Sequence, residues 1–583
     1  MPTMNAWNPF SGQGPPDFDY AAFDKDHEIH NNPFYRQDFG GVEITEDVIY
    51  KRRNLRVVAT GAGAAGLQVA YKFRKLLRDI DLVIYEKNDD VGGTWLENKY
   101  PGCACDIPSH TYQFYWNRNP DWSSFYSPAP EILKYLQDTA EKFDLNKYIS
   151  FRHRVLDTKW DEVKGKWICQ IQRPDGTTFI DEADILLATG GGLNKWRFPD
   201  IPGRDLFKGV MMHTAAWNTE VDLRDKVVAV IGSGSSAIQV VPGIQPDVKK
   251  LLNFVRSPVW LTPGFSAKNA GPEGSNFKYT EEQREKFRND PKAYEDYIRK
   301  IEEDLGSRFP MQHETSDISK EAKINMKAYM RAKIGNDDIA DYLTPEFGLG
   351  CRRLSPGNEY MEAFTKGNVQ LVKSSVTGFT KNGLLDDQGN EHKVDVIICA
   401  TGFDTTFTPS FGVTGRDGID MKAFYGDFPR SYLAVMTPHF PNFYQFPGPG
   451  FPGSHGPVFA VLEWITRYVM KTMVKIQREN IKAFCPKPEA AVDYYNYSHA
   501  MFRRLVYSQP CASWYKNGKT IGPVTSQYPG TRLHWCELLR EPRWEDFDYT
   551  YFTGNRFQFF GNGYTREDLD QVNLTWYFDV PEI

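Results

Sequence analysis

Two glycine-rich turns, each closing an apolar strand and opening a helix, are the segments of this chain best suited to hold a phosphate. Gly61-Ala-Gly-Ala-Ala-Gly66 follows the apolar run Leu55–Thr60 and precedes a helical stretch from Ala64 to Leu77. In that setting Gly61 permits the turn, Gly63 lets the backbone approach a pyrophosphate, and Gly66 lets the helix pack closely on the strand, with helix amides facing the anion. Glu86, about 20 residues beyond Gly66 and at the end of the next strand, is placed to accept hydrogen bonds from ribose hydroxyls. The second turn, Gly232-Ser-Gly-Ser-Ser-Ala237, follows Lys226–Ile231 and sets Gly232, Gly234 and Ser235 at the phosphate; Ala237 replaces the third glycine, which the pattern tolerates. Its second strand, Lys250–Arg256, ends in Arg256-Ser257 where the first unit has an acid. A guanidinium and a hydroxyl suit a 2′-phosphate, so this unit is expected to take NADPH in preference to NADH.

Two dinucleotide sites in one chain imply electron traffic between a nicotinamide and a flavin. A disulfide reductase, a simple ferredoxin-type reductase and a monooxygenase all fit that description. The first needs two cysteines beside the flavin, and the close pair here, Cys103-Ala-Cys105, would strain a local disulfide. The eight cysteines show neither zinc-site spacing nor a C-x-x-C pair, so they read as reduced, intracellular thiols, and no metal is expected.

Two further patterns are more specific. Phe207, Gly209, His213 and Trp217 fit F-x-G-x-x-x-H-x-x-x-W, and Gly92, Gly93, Trp95, Tyr100, Pro101, Gly102 and Asp106 fit [AG]-G-x-W-x4-[FY]-P-[GM]-x3-D. With both lying among the two fingerprints, the chain resembles the type I Baeyer–Villiger monooxygenases over roughly residues 50–480; Asn218, where members commonly have Pro or Asp, is a mild departure. The resemblance implies bound FAD and NADPH, and conversion of a ketone and dioxygen to an ester or lactone through a peroxyflavin. It suggests Arg353, in Gly350-Cys-Arg-Arg-Leu354, as the catalytic cation beside the flavin, Arg352 on the NADPH phosphate, and Asp106 as the partner that holds Arg353. It places Gly93, Thr94 and Trp95 at the cofactor, Ala400, Thr401 and Gly402 at a flavin-contacting strand end, and His213 between domains as a hinge or coupling residue rather than a general base. Phe446, Phe451 and His455 are candidates for the substrate pocket, simple loop packing being an equal alternative. A flavin monooxygenase acting on nitrogen or sulfur shares the two-domain plan and is set apart by the Asp106–Arg353 pair; a noncatalytic NADPH-binding protein is the remaining rival.

These residues need a scaffold of two dinucleotide folds, and 583 residues suffice for several domains. The expected class is α/β, with two Rossmann-like domains, the second inserted into the first. An N-terminal extension occupies 1–50, and the FAD domain runs over 51–205. The NADPH domain covers 206–374 with a helical insertion at about 270–345, and the FAD domain resumes over 375–583. In the insertion Thr280 with Gln283 fits a capping box, and Asp290-Pro291 an N-cap followed by a first-turn proline. The extension resembles those of members acting on bulky ketones, fungal ones included. Lys and Arg at 69 against Asp and Glu at 75, a net charge of −6, argue against a nucleic-acid partner. No apolar run approaches the ~20 residues of a membrane span, and Met1–Tyr20 lacks a secretory pattern, so a cytoplasmic protein is expected. Aromatic residues at 14% suit pockets for flat or apolar ligands.

Overall fold

In the computed structural model the described residues are Phe34, 39–454 and 456–579. Most of the N-terminal extension and His455 lie outside them. The chain first lays down β1 (Leu55–Thr60), α1 (Ala64–Leu76), β2 (Ile80–Tyr85), β3 (Ile149–Ser150) and β4 (Ile185–Ala188). β1 and β4 are apolar at nearly every position because helices cover one face of this parallel sheet and an antiparallel meander covers the other, leaving no face wet. An antiparallel meander, Arg154–Asp161, Lys166–Gln172 and Thr178–Ala183, is inserted before β4.

The chain then leaves for a second sheet: β5 (Val210–His213), β6 (Val227–Ile231), α2 (Ser235–Ile244) and β7 (Lys250–Phe254). Helices α3 (Glu281–Asn289), α4 (Pro291–Gly306) and α5 (Asp317–Ile334) follow, with two shorter ones, Asp337–Leu343 and Asn358–Ala363, before β8 (Val369–Val372) and β9 (Val396–Cys399) complete the sheet. β10 (Phe443–Gln445) returns to the first sheet, and α6 (Val458–Arg478) packs on α1, where buried Glu463 accepts hydrogen bonds from Gln68 (2.6 Å) and Lys72 (2.7 Å). The first sheet has the order β10-β4-β1-β2-β3 and the second β8-β7-β6-β9-β5, with every pairing parallel.

The two-sheet α/β plan is the expected one, but two boundaries and one cysteine expectation differ. The first sheet does not resume at 375: β9 pairs with β5 and β6 of the second sheet, and the return comes only at β10. An apolar strand carries no label of the sheet it joins, so periodicity could not place it. The helical insertion is also shared. Tyr294, Ile298, Ile301 and Leu305 of α3–α4 bury into the core of the first sheet, whereas Met330 and Ile334 of α5 bury into that of the second. Both expected caps are present: Thr280 and Gln283 form the reciprocal box, and Asp290 Oδ1 accepts from the Ala293 amide at 2.9 Å. Third, the cysteines are not all free, because Cys351 and Cys511, 160 positions apart, are disulfide-bonded with Cα atoms 6.4 Å apart. The pair joins the arginine-bearing loop to a C-terminal segment, a long-range contact that local spacing cannot reveal.

Candidate active site

Both glycine turns sit where β1 and β6 feed their helices. Gly61 has φ 105°, and a Cβ there would lie 3.0 Å from Gly190 Cα; Gly232 has φ 125°, and a Cβ there would lie 2.5 Å from the Ala400 carbonyl oxygen. The two contacts correct one expectation. The strand end beside the first turn is Ala188-Thr189-Gly190, whereas Ala400, Thr401 and Gly402 flank the second turn, because β9 belongs to the second sheet. Thr189 Oγ1 donates to the Thr60 and Gly61 carbonyls at 3.0 and 2.9 Å, fixing the turn from beneath.

At the first turn, Glu86 is buried, and its carboxylate accepts from the amides of Ala62 (2.6 Å) and Asn88 (2.8 Å). Burial pushes its pKa up while the two amides oppose that shift. Gly93, at φ 53°, faces Gly63 so closely that a Cβ would come within 3.1 Å of Gly63 Cα, leaving a cradle of bare backbone. Thr94 and Trp95 open the short helix Thr94–Glu97, and Trp95 packs against both cores with an edge-to-face contact to Tyr112. Bare backbone amides, a ribose-type carboxylate and an adjoining indole fit a flavin dinucleotide.

The second pattern has a physical reason that sequence reading missed. Gly102 lies against α2, where a Cβ would be 2.4 Å from the Gln239 carbonyl oxygen. Gln239 itself accepts from Tyr100 Oη (2.7 Å) and donates to the Ala104 carbonyl (2.8 Å). The Tyr-Pro-Gly stretch therefore docks the flavin-side loop on the helix of the other fingerprint, and Asp106 follows directly. Asp106 accepts from Arg353 Nη2 through both oxygens, at 3.0 and 2.8 Å. That carboxylate raises the Arg353 pKa further, so the guanidinium is charged at every working pH.

On the nicotinamide side, Gly234 caps α2, Ser235 Oγ lies 3.3 Å from Ser355 Oγ, and Ala237 is buried in the core of the second sheet. Arg256 is exposed, and the Ser257 carbonyl accepts from Ser233 Oγ at 3.1 Å. Arg352 donates to the Pro258 carbonyl at 3.2 Å. Burial lowers its pKa, and so does the like charge of Arg256. Among the described residues no carboxylate pairs with either guanidinium, so two converging cations lack an anion, as a 2′-phosphate site requires.

Phe207 is buried, and Gly209 has no room for a side chain because a Cβ would sit 2.3 Å from the Asp395 carbonyl oxygen. Trp217 packs partly buried on the second core. His213 ends β5 opposite Cys399 of β9 and is fully buried. Its Nδ1 accepts from the Ala215 amide (3.1 Å), and burial lowers its pKa to about 4. It stacks on Trp196 at 4.9 Å and meets Phe403 edge-on at 6.3 Å. Trp196 and Phe403 are themselves bridged, and Asp404 N donates to the Lys195 carbonyl (2.8 Å). His213 thus sits where the two connections between the sheets run side by side.

Arg352 and Arg353 share a cavity of about 220 Å³ with Phe265, Arg308, Gln312 and Tyr515, residues that drew no notice in the sequence. Phe446 does not line it but is buried in the first core, and Phe451 instead packs against Phe407, their rings 6.1 Å apart. The loop contributes Gly453, Ser454 and Gly456 instead. His455 lies outside the described residues. Ser454 Oγ is 2.7 Å from Tyr515 Oη, on the segment that Cys511 ties to Cys351.

Known proteins with this arrangement are numerous. Residues 60–129 match the family described as NAD(P)-binding Rossmann-like domain. A Baeyer–Villiger monooxygenase of Pseudomonas aeruginosa is 30% identical over 494 residues, covering 84% of this chain and 90% of its own length. The chain belongs to the type I Baeyer–Villiger monooxygenases. The FAD-binding monooxygenase moxY of Dothistroma septosporum is 39% identical over 542 residues, 91% of this chain and 86% of the relative. Cyclohexanone monooxygenase from Rhodococcus sp. Phi1, solved with NADP+, superposes with a TM-score of 0.73 at 26% identity, covering 86% of this chain and 100% of that one. This Baeyer–Villiger monooxygenase is therefore an FAD- and NADPH-dependent enzyme. Among the described residues no helix is long and apolar enough to cross a membrane, and no cluster of three or more His, Cys, Asp or Glu could hold a metal ion.

Proposed function

We propose that this monooxygenase converts a ketone to its ester or lactone in the cavity beside Arg353. When bound, the flavin supplies the activation of dioxygen, at the expense of NADPH. The chain supplies the charge environment. Carbonyl attack by an anionic oxygen nucleophile concentrates negative charge on oxygen, and a preorganised cation in a site shielded from water stabilises that charge without reorganising. Arg353 is that cation and Asp106 its positioning residue; the two bonds between them, at 3.0 and 2.8 Å, are the observation that carries this reading. The carboxylate holds only Nη2, so Nε and Nη1 remain for the reacting oxygen. Arg352 and Arg256 hold the 2′-phosphate, Glu86 the flavin's ribose, and His213 couples the two inter-sheet connections as a neutral imidazole.

The cavity is walled by Phe265, Leu305, Met311, Met326 and Leu349, an apolar lining that suits the hydrocarbon part of a ketone. Six buried free thiols support a cytoplasmic location, with the Cys351–Cys511 bond buried away from reductants. The test is mass spectrometry of products after incubation with NADPH, labelled dioxygen, a panel of ketones and one thioether. An ester or lactone carrying one labelled oxygen is expected; sulfoxide alone would overturn the reading.

A further inference from the structure

The charges around the cavity do not balance. Three guanidiniums, those of Arg308, Arg352 and Arg353, line it, and no Asp or Glu among the described residues does. Arg353 is answered by Asp106, and Arg352 is assigned above to the dinucleotide phosphate. Arg308 is answered only weakly: among the described residues its one ion pair, to Asp304, spans 3.4 Å, at the long end of hydrogen bonding. Four positions along the same turn, Gln312 also faces the cavity. It is more than nine-tenths buried, yet among the described residues its Oε1 has no hydrogen-bond partner. Leaving a buried amide oxygen unpaired costs about 1–3 kcal/mol, so such a group persists where something else satisfies it. Between these residues and Arg353 stands one aromatic wall: the Phe265 ring lies 5.6 Å from Arg308 Cζ and 5.9 Å from Arg353 Cζ.

We infer that Arg308 and Gln312 form a specificity subsite that selects ketones carrying an acidic oxygen, a carboxylate or a phenol, away from the reacting carbonyl. The inference rests on the ketone-oxygenating reading of the cavity. A planar substrate body lies along Phe265, with its carbonyl toward Arg353 and its acidic oxygen toward Arg308. The guanidinium donates to that oxygen in preference to its long bond to Asp304. The Gln312 amide oxygen accepts a hydrogen bond from a phenol or, with the amide turned over, its NH2 donates to a carboxylate. The two ends are chemically distinct: Arg353 is held by a short carboxylate pair, whereas Arg308 retains donors to spare. Apolar residues between them, Leu305, Met311 and Leu349, favour a hydrocarbon spacer.

The experiment measures the dissociation constants of 4-phenylbutan-2-one and of its ring-substituted 4-carboxy, 4-hydroxy and 4-methyl analogues on the NADP+-loaded holoenzyme. The readout is perturbation of the flavin absorbance, with product formation followed separately. The carboxy and hydroxy ketones are expected to bind about 10-fold or more tightly than the methyl one, the range of a charge-assisted hydrogen bond. Arg308→Gln should weaken the carboxy ketone about 10–100-fold, and Gln312→Leu the hydroxy ketone about 5–10-fold. Neither should move the methyl ketone more than about twofold or alter flavin content. The methyl ketone therefore also reports whether a variant has lost its fold. Equal affinities across the series, a preference that survives both variants, or no binding of any analogue would overturn the subsite. Esters formed from all four ketones at equal affinity would sink the subsite and keep the proposed reaction. Tight, Arg308-dependent binding without oxygenation of any ketone would keep the subsite and sink that reaction.

Discussion

Replacing Arg353 by alanine separates what this residue does for the chemistry from what it does for the fold. Its Nη2 meets both Asp106 oxygens, at 3.0 and 2.8 Å, with side chains 28% and 21% exposed. That exposure puts the pair between a surface ion pair, worth about 0–1 kcal/mol, and a buried one, whose rupture costs about 3–5 kcal/mol. Arg353→Ala should therefore lower stability by about 2 kcal/mol, mostly because Asp106 is left without its cation. The catalytic loss is of another kind. Removing one preorganised donor to a developing oxyanion costs about 10²–10³ in rate, roughly 2.7–4 kcal/mol. The assay follows NADPH consumption, ester formation and hydrogen peroxide together. NADPH consumption should persist, since the dinucleotide sites are untouched, while ester per NADPH falls at least 100-fold and peroxide takes its place. Arg353→Ala combined with Asp106→Asn removes the orphaned charge, so thermal stability should recover while ester formation does not. Near-normal ester yield in the single variant, or recovery of ester in the double one, would refute the reasoning.

Arg352→Ala removes one of two cations that converge without a carboxylate partner; KM for NADPH should rise about 10–100-fold while KM for NADH changes little, and an equal rise for both would place Arg352 away from the 2′-phosphate. His110 is fully buried among the rings of Tyr279, Phe287, Tyr294 and Tyr297, with its Nδ1 2.8 Å from Tyr294 Oη, and burial lowers its pKa to about 3. The unfolded chain binds this proton near pH 6.5 and the folded one does not. Stability from this group is complete above pH 6.5 and falls as pH drops from 6.5 toward 3, by at most about 1.4 kcal/mol per pH unit; melting temperatures across that window should decline less steeply in His110→Leu, and identical slopes would refute the assignment.

How much of this was legible beforehand depends on whether a feature is written within one element or between two. β1 runs over Leu55–Thr60 as read, α1 ends one residue short of the expected Leu77, and the Thr280 and Asp290 caps are both present, because strand burial, glycine turns and capping act within a few residues. The first glycine turn and the acid at Glu86 beside it were legible for the same reason. Arg353 and Asp106 are 247 positions apart, and nothing in either local sequence joins them; only the family resemblance suggested the pair that the fold brings together. Where resemblance was weak, local sequence left more than one placement open. Ala400-Thr401-Gly402 repeats Ala188-Thr189-Gly190 residue for residue, and a strand-end motif cannot say which sheet its strand has joined. Phe446 and Phe451 flank an inviting loop, yet an aromatic ring gains as much by entering a core as by lining a pocket. The cavity itself is assembled from the 265–267 loop, the turn around Arg308–Gln312, the Gly350–Leu354 loop and the segment bearing Tyr507 and Tyr515. These pieces are tied together by the Cys351–Cys511 bond and by α3–α4 leaning on the first core while α5 leans on the second. An insertion packed on both domains positions the residues that would contact substrate, so a change in domain orientation would move Arg308 and Gln312 relative to Arg352 and Arg353.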